Sequence, residues 1–153
     1  MNKTIGILAH VDAGKTTLAE GLLHLAGATR RRGGVEEGTS LLDCDAIERA
    51  RGITVFSGQA HFAFGGDEYA LIDTPGHADF AAEMERSLSV LDGAILLVDG
   101  TEGVQGHTQL IWRLLRQRGV PTFFFVGKCD RREADLPAVL AQLRARLSPR
   151  LLD

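Results

Sequence analysis

Cysteine is scarce: Cys44 and Cys129 are the only two, far apart and without Cys-x-x-Cys spacing, which argues against a disulfide framework or a zinc ribbon. A reducing, cytoplasmic setting is the simplest expectation. Long apolar runs are missing too. No stretch approaches the length of a membrane span, and Met1 to Leu8 enters a short apolar strand without a signal-type region, so a soluble chain with no membrane partner is expected. Positive charge is not in excess. With 17 Lys and Arg against 20 Asp and Glu the formal net charge is -3, so overall charge would not hold nucleic acid, and any such partner needs a local surface. There is no internal repeat and no linker-like stretch, and nothing suggests more than a monomer.

What is present fits one α/β domain over residues 1–153, a size that buries roughly two thirds of its unfolded surface without staples. The runs Ile5 to Ala9, Tyr69 to Ile72, Ala94 to Val98 and Val120 to Val126 are short, β-rich and nearly free of alternation, as parallel strands buried on both faces are. Between them lie helical spacings at Leu18, Leu22 and Leu25; at Phe80, Met84, Leu88 and Leu91; at Leu110, Ile111, Leu114 and Leu115; and at Leu136, Leu140, Leu143 and Leu147. Gly119 sits where a helix C-terminal glycine belongs, and Asp135 before Leu-Pro reads as a helix start. Ala60, Phe62 and Phe64 alternate before Gly65-Gly66, which predicts a hairpin and one antiparallel edge strand. The spacing thus predicts a mainly parallel sheet with helices on both faces. Ala28 to Gly52 has no sustained period, contains Arg30-Arg31-Arg32, and is long enough to expect a functional loop.

Four motifs carry chemistry. Ala9-His10-Val11-Asp12-Ala13-Gly14-Lys15-Thr16-Thr17 follows the first strand and opens the first helix, the context of a phosphate-binding loop. Gly14 allows the tight turn, successive N–H groups face phosphates, Lys15 brings a charge to the β and γ groups, and Thr16 can ligate magnesium. Ala9 replaces the first glycine of the generic pattern. Asp73-Thr74-Pro75-Gly76-His77 follows a second buried strand and should reach the same sheet edge, where Asp73 would hold magnesium through water, the Gly76 N–H would meet the γ-phosphate and His77 would position the attacking water. Arg51-Gly52-Ile53-Thr54 closes the irregular segment, and Thr54 could complete the magnesium shell, making the segment a switch. Gly127-Lys128-Cys129-Asp130 follows the last buried strand. There Asp130 can accept two hydrogen bonds from a guanine edge while the Lys128 stem lies on the ring, a pairing adenine does not offer. His24, His61 and His107 read as structural.

Together the first three motifs stand in the order of the translational GTPases, and the chain resembles the GTP-binding domain of that P-loop NTPase family, the class containing elongation factor G. Glu48 to Thr54, Arg86 to Leu97 and Thr122 to Phe125 look most like the tetracycline-resistance ribosomal protection proteins. The resemblance implies GTP as substrate, GDP as product, Mg2+ as cofactor, and the ribosome, through its RNA, as the partner that orders His77. The alternative is a nucleotide-dependent ribosome-docking module with little hydrolysis, using the switch segment and Arg30 to Arg32 as its surface. In two respects the chain departs from the family. Gly127 replaces the asparagine that braces the base loop, and no Ser-Ala-type base loop precedes Asp153, so a last strand, a last helix and later domains are expected to be absent.

Overall fold

The computed structural model describes residues 2–28, 58–74 and 86–151. Five strands form one sheet: β1 (Asn2–Ala9), β2 (Gly58–Phe64), β3 (Asp67–Asp73), β4 (Gly93–Asp99) and β5 (Thr122–Gly127). Their order is β2-β3-β1-β4-β5, with β1 central and parallel to β3 and β4, β5 parallel to β4, and β2 antiparallel at one edge. Gly65 and Gly66, both at positive φ, make the two-residue turn between β2 and β3 that the alternating residues predict. After β3 the chain crosses to the other side of β1. The carboxyl end of β1 is therefore a topological switch point, where open α/β sheets place ligands.

The side-chain alternation of β1 explains the two layers. Ile7 and Ala9 face one side: Ile7 packs with Leu71 under Ala19 and Leu23 of α1 (Lys15–Leu25), and Ala9 packs with Leu97 and Ala13. Leu8 faces the other, against Leu96 and, from α2 (Gly106–Gln117), Ile111 and Leu115. Helix α3 (Leu136–Arg146) extends that second layer, its Val139 and Leu143 packing on Val98 and on the half-buried Phe124 and Val126. Helices thus cover both faces, as expected. Asp135 caps α3 by accepting from Ala138 N–H at 3.0 Å, and Gly119 at φ 66° ends α2, both where the sequence places them.

Not every apolar position is buried. Leu25 is 81% exposed at the end of α1, whereas Leu18 and Leu22 are half-buried beside the fully buried Ala19 and Leu23. The reading of β5 as buried on both faces also fails. Phe124 and Val126 face α2 and α3, but Phe123 is 74% exposed because no described helix lies over its side of that strand. The expected Phe80-to-Leu91 helix lies largely outside the described residues; of its stripe, Leu88 is buried and Leu91 packs beside it. The irregular segment after Ala28, with Arg30 to Arg32 and Arg51 to Thr54, lies outside them as well.

Candidate nucleotide-binding site

Four strands deliver the site to one edge of the sheet. After Ala9 the chain turns sharply: Ala13 N–H donates to His10 carbonyl at 3.2 Å, Asp12 takes φ 61°, and Gly14 takes φ 96°, a conformation that suits glycine. The first helical bond is Leu18 N–H to Gly14 carbonyl, 2.9 Å, so the N–H groups of Lys15, Thr16 and Thr17 precede it and form the open N-terminus of α1. Such a terminus favours anions. Ala9 needs no glycine's freedom, because it is still in extended strand and its methyl is 1% exposed against Leu97 and Ala13.

From the end of β3, fully buried Asp73 meets this turn. Lys15 Nζ donates to one carboxylate oxygen of Asp73, and Thr16 Oγ1 donates to the other at 3.1 Å. Next to it, Thr74 Oγ1 donates to Ile7 carbonyl at 2.8 Å, which pins the end of β3 to β1. Two sequence motifs 58 positions apart are thereby joined at one carboxylate. A hydroxyl and a carboxylate side by side, both hard oxygen donors, fit Mg2+, so the residues suit the cofactor the sequence implies. His10 is half-buried with its ring edge-on to His107 at 5.9 Å; Val11 is half-buried, and Asp12 and Thr17 are exposed on the rim. Thr54, Gly76 and His77 lie outside the described residues.

The third cluster joins β4, β5 and the phosphate loop. Lys128, at φ 56°, extends its side chain across the site so that Nζ donates to Asp12 carbonyl at 2.5 Å and to Asp99 Oδ2 at 2.6 Å. The Lys128 side chain therefore ties the Gly127-Lys128-Cys129-Asp130 turn to the phosphate loop and to the end of β4. Exposed Asp130 stands two residues on, in the same turn. Asp99 escapes motif reading, because no local string marks it. Its Oδ1 accepts from Thr101 N–H at 2.8 Å and Thr101 Oγ1 at 2.6 Å. Burial opposes ionisation of Asp99, yet the bonds from Lys128 and Thr101 outweigh it and hold its pKa at about 2. An aspartate ending the strand next to the phosphate-loop strand was the available signal.

The elongation factor Tu GTP binding domain model matches residues 2–151. The chain belongs to this family. It is 51% identical over 147 residues to elongation factor G 2 of Streptomyces coelicolor, covering 96% of this chain and 21% of that protein. It is 48% identical over 148 residues to the tetracycline resistance protein TetM of Ureaplasma urealyticum, covering 97% of this chain and 23% of that relative. A crystal structure of a Thermus thermophilus protein superposes with a TM-score of 0.90 at 37% identity, over 96% of this chain and 22% of the other. The chain thus spans about a fifth of the length of these relatives. It is a GTP-binding domain with the P-loop fold, similar to both elongation factor G and tetracycline resistance proteins. Among its described residues no helix is long and apolar enough to cross a membrane.

Gly127, at the end of β5, faces the phosphate loop. A Cβ added there would stand 3.1 Å from Leu97 Cδ1 and 3.7 Å from Ala13 carbonyl oxygen. A side chain at this position would point at the phosphate loop, and Gly127 offers none. Lys128, held by Asp99, is the bridge observed here.

Proposed function

We propose that this domain binds GTP with Mg2+ and hydrolyses it within a cytoplasmic factor that acts on the ribosome. The observation that supports this best is the meeting of Lys15, Thr16 and Asp73 at the open N-terminus of α1, with Lys128 reaching the same loop. In this reading the N–H groups of Gly14 to Thr17 and the His10-Val11-Asp12-Ala13 turn cradle the phosphates, Lys15 faces the β and γ groups, and Asp130 accepts from the guanine edge over the Lys128 stem. Thr16, Thr54 and, through water, Asp73 would hold Mg2+, which supplies charge neutralisation at the β and γ oxygens when bound. Water attacks the γ-phosphorus in line, the bond to the β–γ bridging oxygen breaks, and GDP and inorganic phosphate leave. His77 positions that water and the Gly76 N–H meets the γ-phosphate; the ribosome supplies the order that makes the step fast.

The similarity to elongation factor G 2 and to TetM supports a ribosomal role for the longer protein, in elongation or in tetracycline protection. The test is a magnesium-dependent titration with a fluorescent GDP analogue, competed separately by GTP, GDP and ATP, followed by GTP turnover with ribosomes. Competition by guanine nucleotides alone, and ribosome-stimulated turnover lost in His77→Ala, are expected. Equal competition by ATP would overturn the base site, and stimulated turnover intact in His77→Ala would overturn the role of that residue.

A further inference from the structure

We propose that the groove between the C-terminal halves of α2 and α3 is a docking surface for an RNA backbone. It encloses about 380 Å3 and is lined by Gln109, Trp112, Arg113, Arg116, Arg146 and Leu147, among others. It lies apart from the nucleotide site, since α2 and α3 each follow a parallel strand and run back from the edge that carries the phosphate loop.

Charge separates this surface from the rest of the molecule. Residues 106–118 and 136–151 hold six arginines and no aspartate or glutamate, in a chain whose net charge is -3. Solvated helix faces commonly interleave both signs at three- and four-residue spacing, which this face does not. Here Arg113 and Arg116 stand one turn apart on α2 with like charge, an arrangement that costs helix stability unless an anion offsets it. All the cations are arginine, whose planar fork matches phosphate oxygens in pairs.

The groove is also built rather than loose. Trp112 Nε1 donates to Leu147 carbonyl at 2.8 Å, and its ring packs on Phe124 with centroids 5.0 Å apart, so the indole is fixed between the helices. The Arg116 guanidinium carbon lies 6.0 Å from the ring centroid. Arg146 Nη1 donates to Val104 carbonyl at 3.0 Å, which orients the guanidinium and leaves its other N–H groups for a ligand. A fixed indole with Arg116 over it, beside the anchored Arg146 and with Arg113 at the rim, suits a polynucleotide backbone, whose regularly spaced phosphates meet several planar guanidinium forks at once, better than an acidic peptide, which needs only the charge.

The experiment is fluorescence anisotropy of a labelled oligouridylate of about 16 nucleotides with the GDP-saturated chain, over a range of salt. Arg113→Gln/Arg116→Gln/Arg146→Gln is expected to weaken binding by about tenfold or more and to reduce the slope of log K against log salt by about 2, at about 0.7 per cation for single strands. GDP affinity, set elsewhere, should not move and reports correct folding. Should the triple variant lose GDP binding, Arg113→Gln/Arg116→Gln, which keeps the Arg146 bond to Val104, is expected to lower the slope by about 1.4. Failure of the parent chain to bind the oligouridylate, or an unchanged slope in a folded variant, overturns the proposal. Tighter binding of an oligoglutamate of matched charge overturns it in favour of an acidic protein partner.

Discussion

Asp99 shows how much one carboxylate can organise. Its two oxygens hold Lys128 on one side and Thr101 on the other, and through Lys128 the base loop is tied to Asp12 of the phosphate loop. Because its folded pKa, about 2, is below the ordinary 3.8, it contributes stability that is fully present above pH 4 and is lost as pH falls through 2. The contribution is about 2 kcal/mol. Asp99→Asn should therefore lower stability near neutral pH by that order and flatten the pH dependence of unfolding between about pH 4 and 2, measured by denaturant melts. An unchanged acid limb would mean that the Lys128 contact contributes nothing. Gly127 gives the complementary test. Leu97 Cδ1, the end of a flexible side chain, can yield to a new Cβ, and an amide there reaches toward Ala13 carbonyl. One added hydrogen bond is worth about 1 kcal/mol, so Gly127→Asn should slow GDP release roughly fivefold in stopped-flow displacement. That Lys15, Thr16, Asp73 and Lys128 gather at one sheet edge was legible from local strings, because each motif has its own spacing next to a strand. Asp99 was not, because its role arises from a contact with Lys128, 29 residues away in sequence.

Among the elements, ends were more legible than faces. The Asp135 cap, the glycine end of α2 and the Gly65-Gly66 hairpin were placed correctly because each is dictated within a few residues: a carboxylate accepting from N–H, or a backbone at positive φ. Which side of a strand is covered is decided by elements far away in the chain. The run Val120 to Val126 reads as buried on both faces, yet Phe124 and Val126 find helices over them while Phe123 and Phe125 are exposed. Leu25 and Leu136 fit a helical period but sit at helix ends, past the reach of the sheet. Asp135→Ala removes the bond to Ala138 N–H and should cost about 1 kcal/mol, a drop of about 3 °C in thermal midpoint. Since α3 closes the loop that carries Asp130, the same change should weaken GDP binding more than phosphate-loop contacts alone would predict; equal affinity in the folded variant would show that the base loop is held independently of the helix.

For the whole molecule, binding and stability are one equilibrium. Lys15 and Asp73 are both buried and face each other, so the same lysine balances the Asp73 carboxylate and, in the proposed function, meets the phosphates. A ligand held only by the folded chain stabilises it by about 2.7 kcal/mol at a hundredfold excess over its dissociation constant, a rise of roughly 5 to 10 °C for a domain this size. GDP with magnesium should produce that rise and ATP should not, if Asp130 and Lys128 select guanine. Lys15→Ala should act twice. It takes the cationic partner away from the buried Asp73 carboxylate, which keeps its bond from Thr16, at a cost of about 3 kcal/mol, and it removes most of the GDP-dependent rise. The two effects separate in one thermal-shift series with and without GDP. Loss of stability with the full GDP response retained would confine Lys15 to the ion pair with Asp73. Loss of the GDP response, with a smaller loss of stability, would show that the lysine serves the ligand more than the fold.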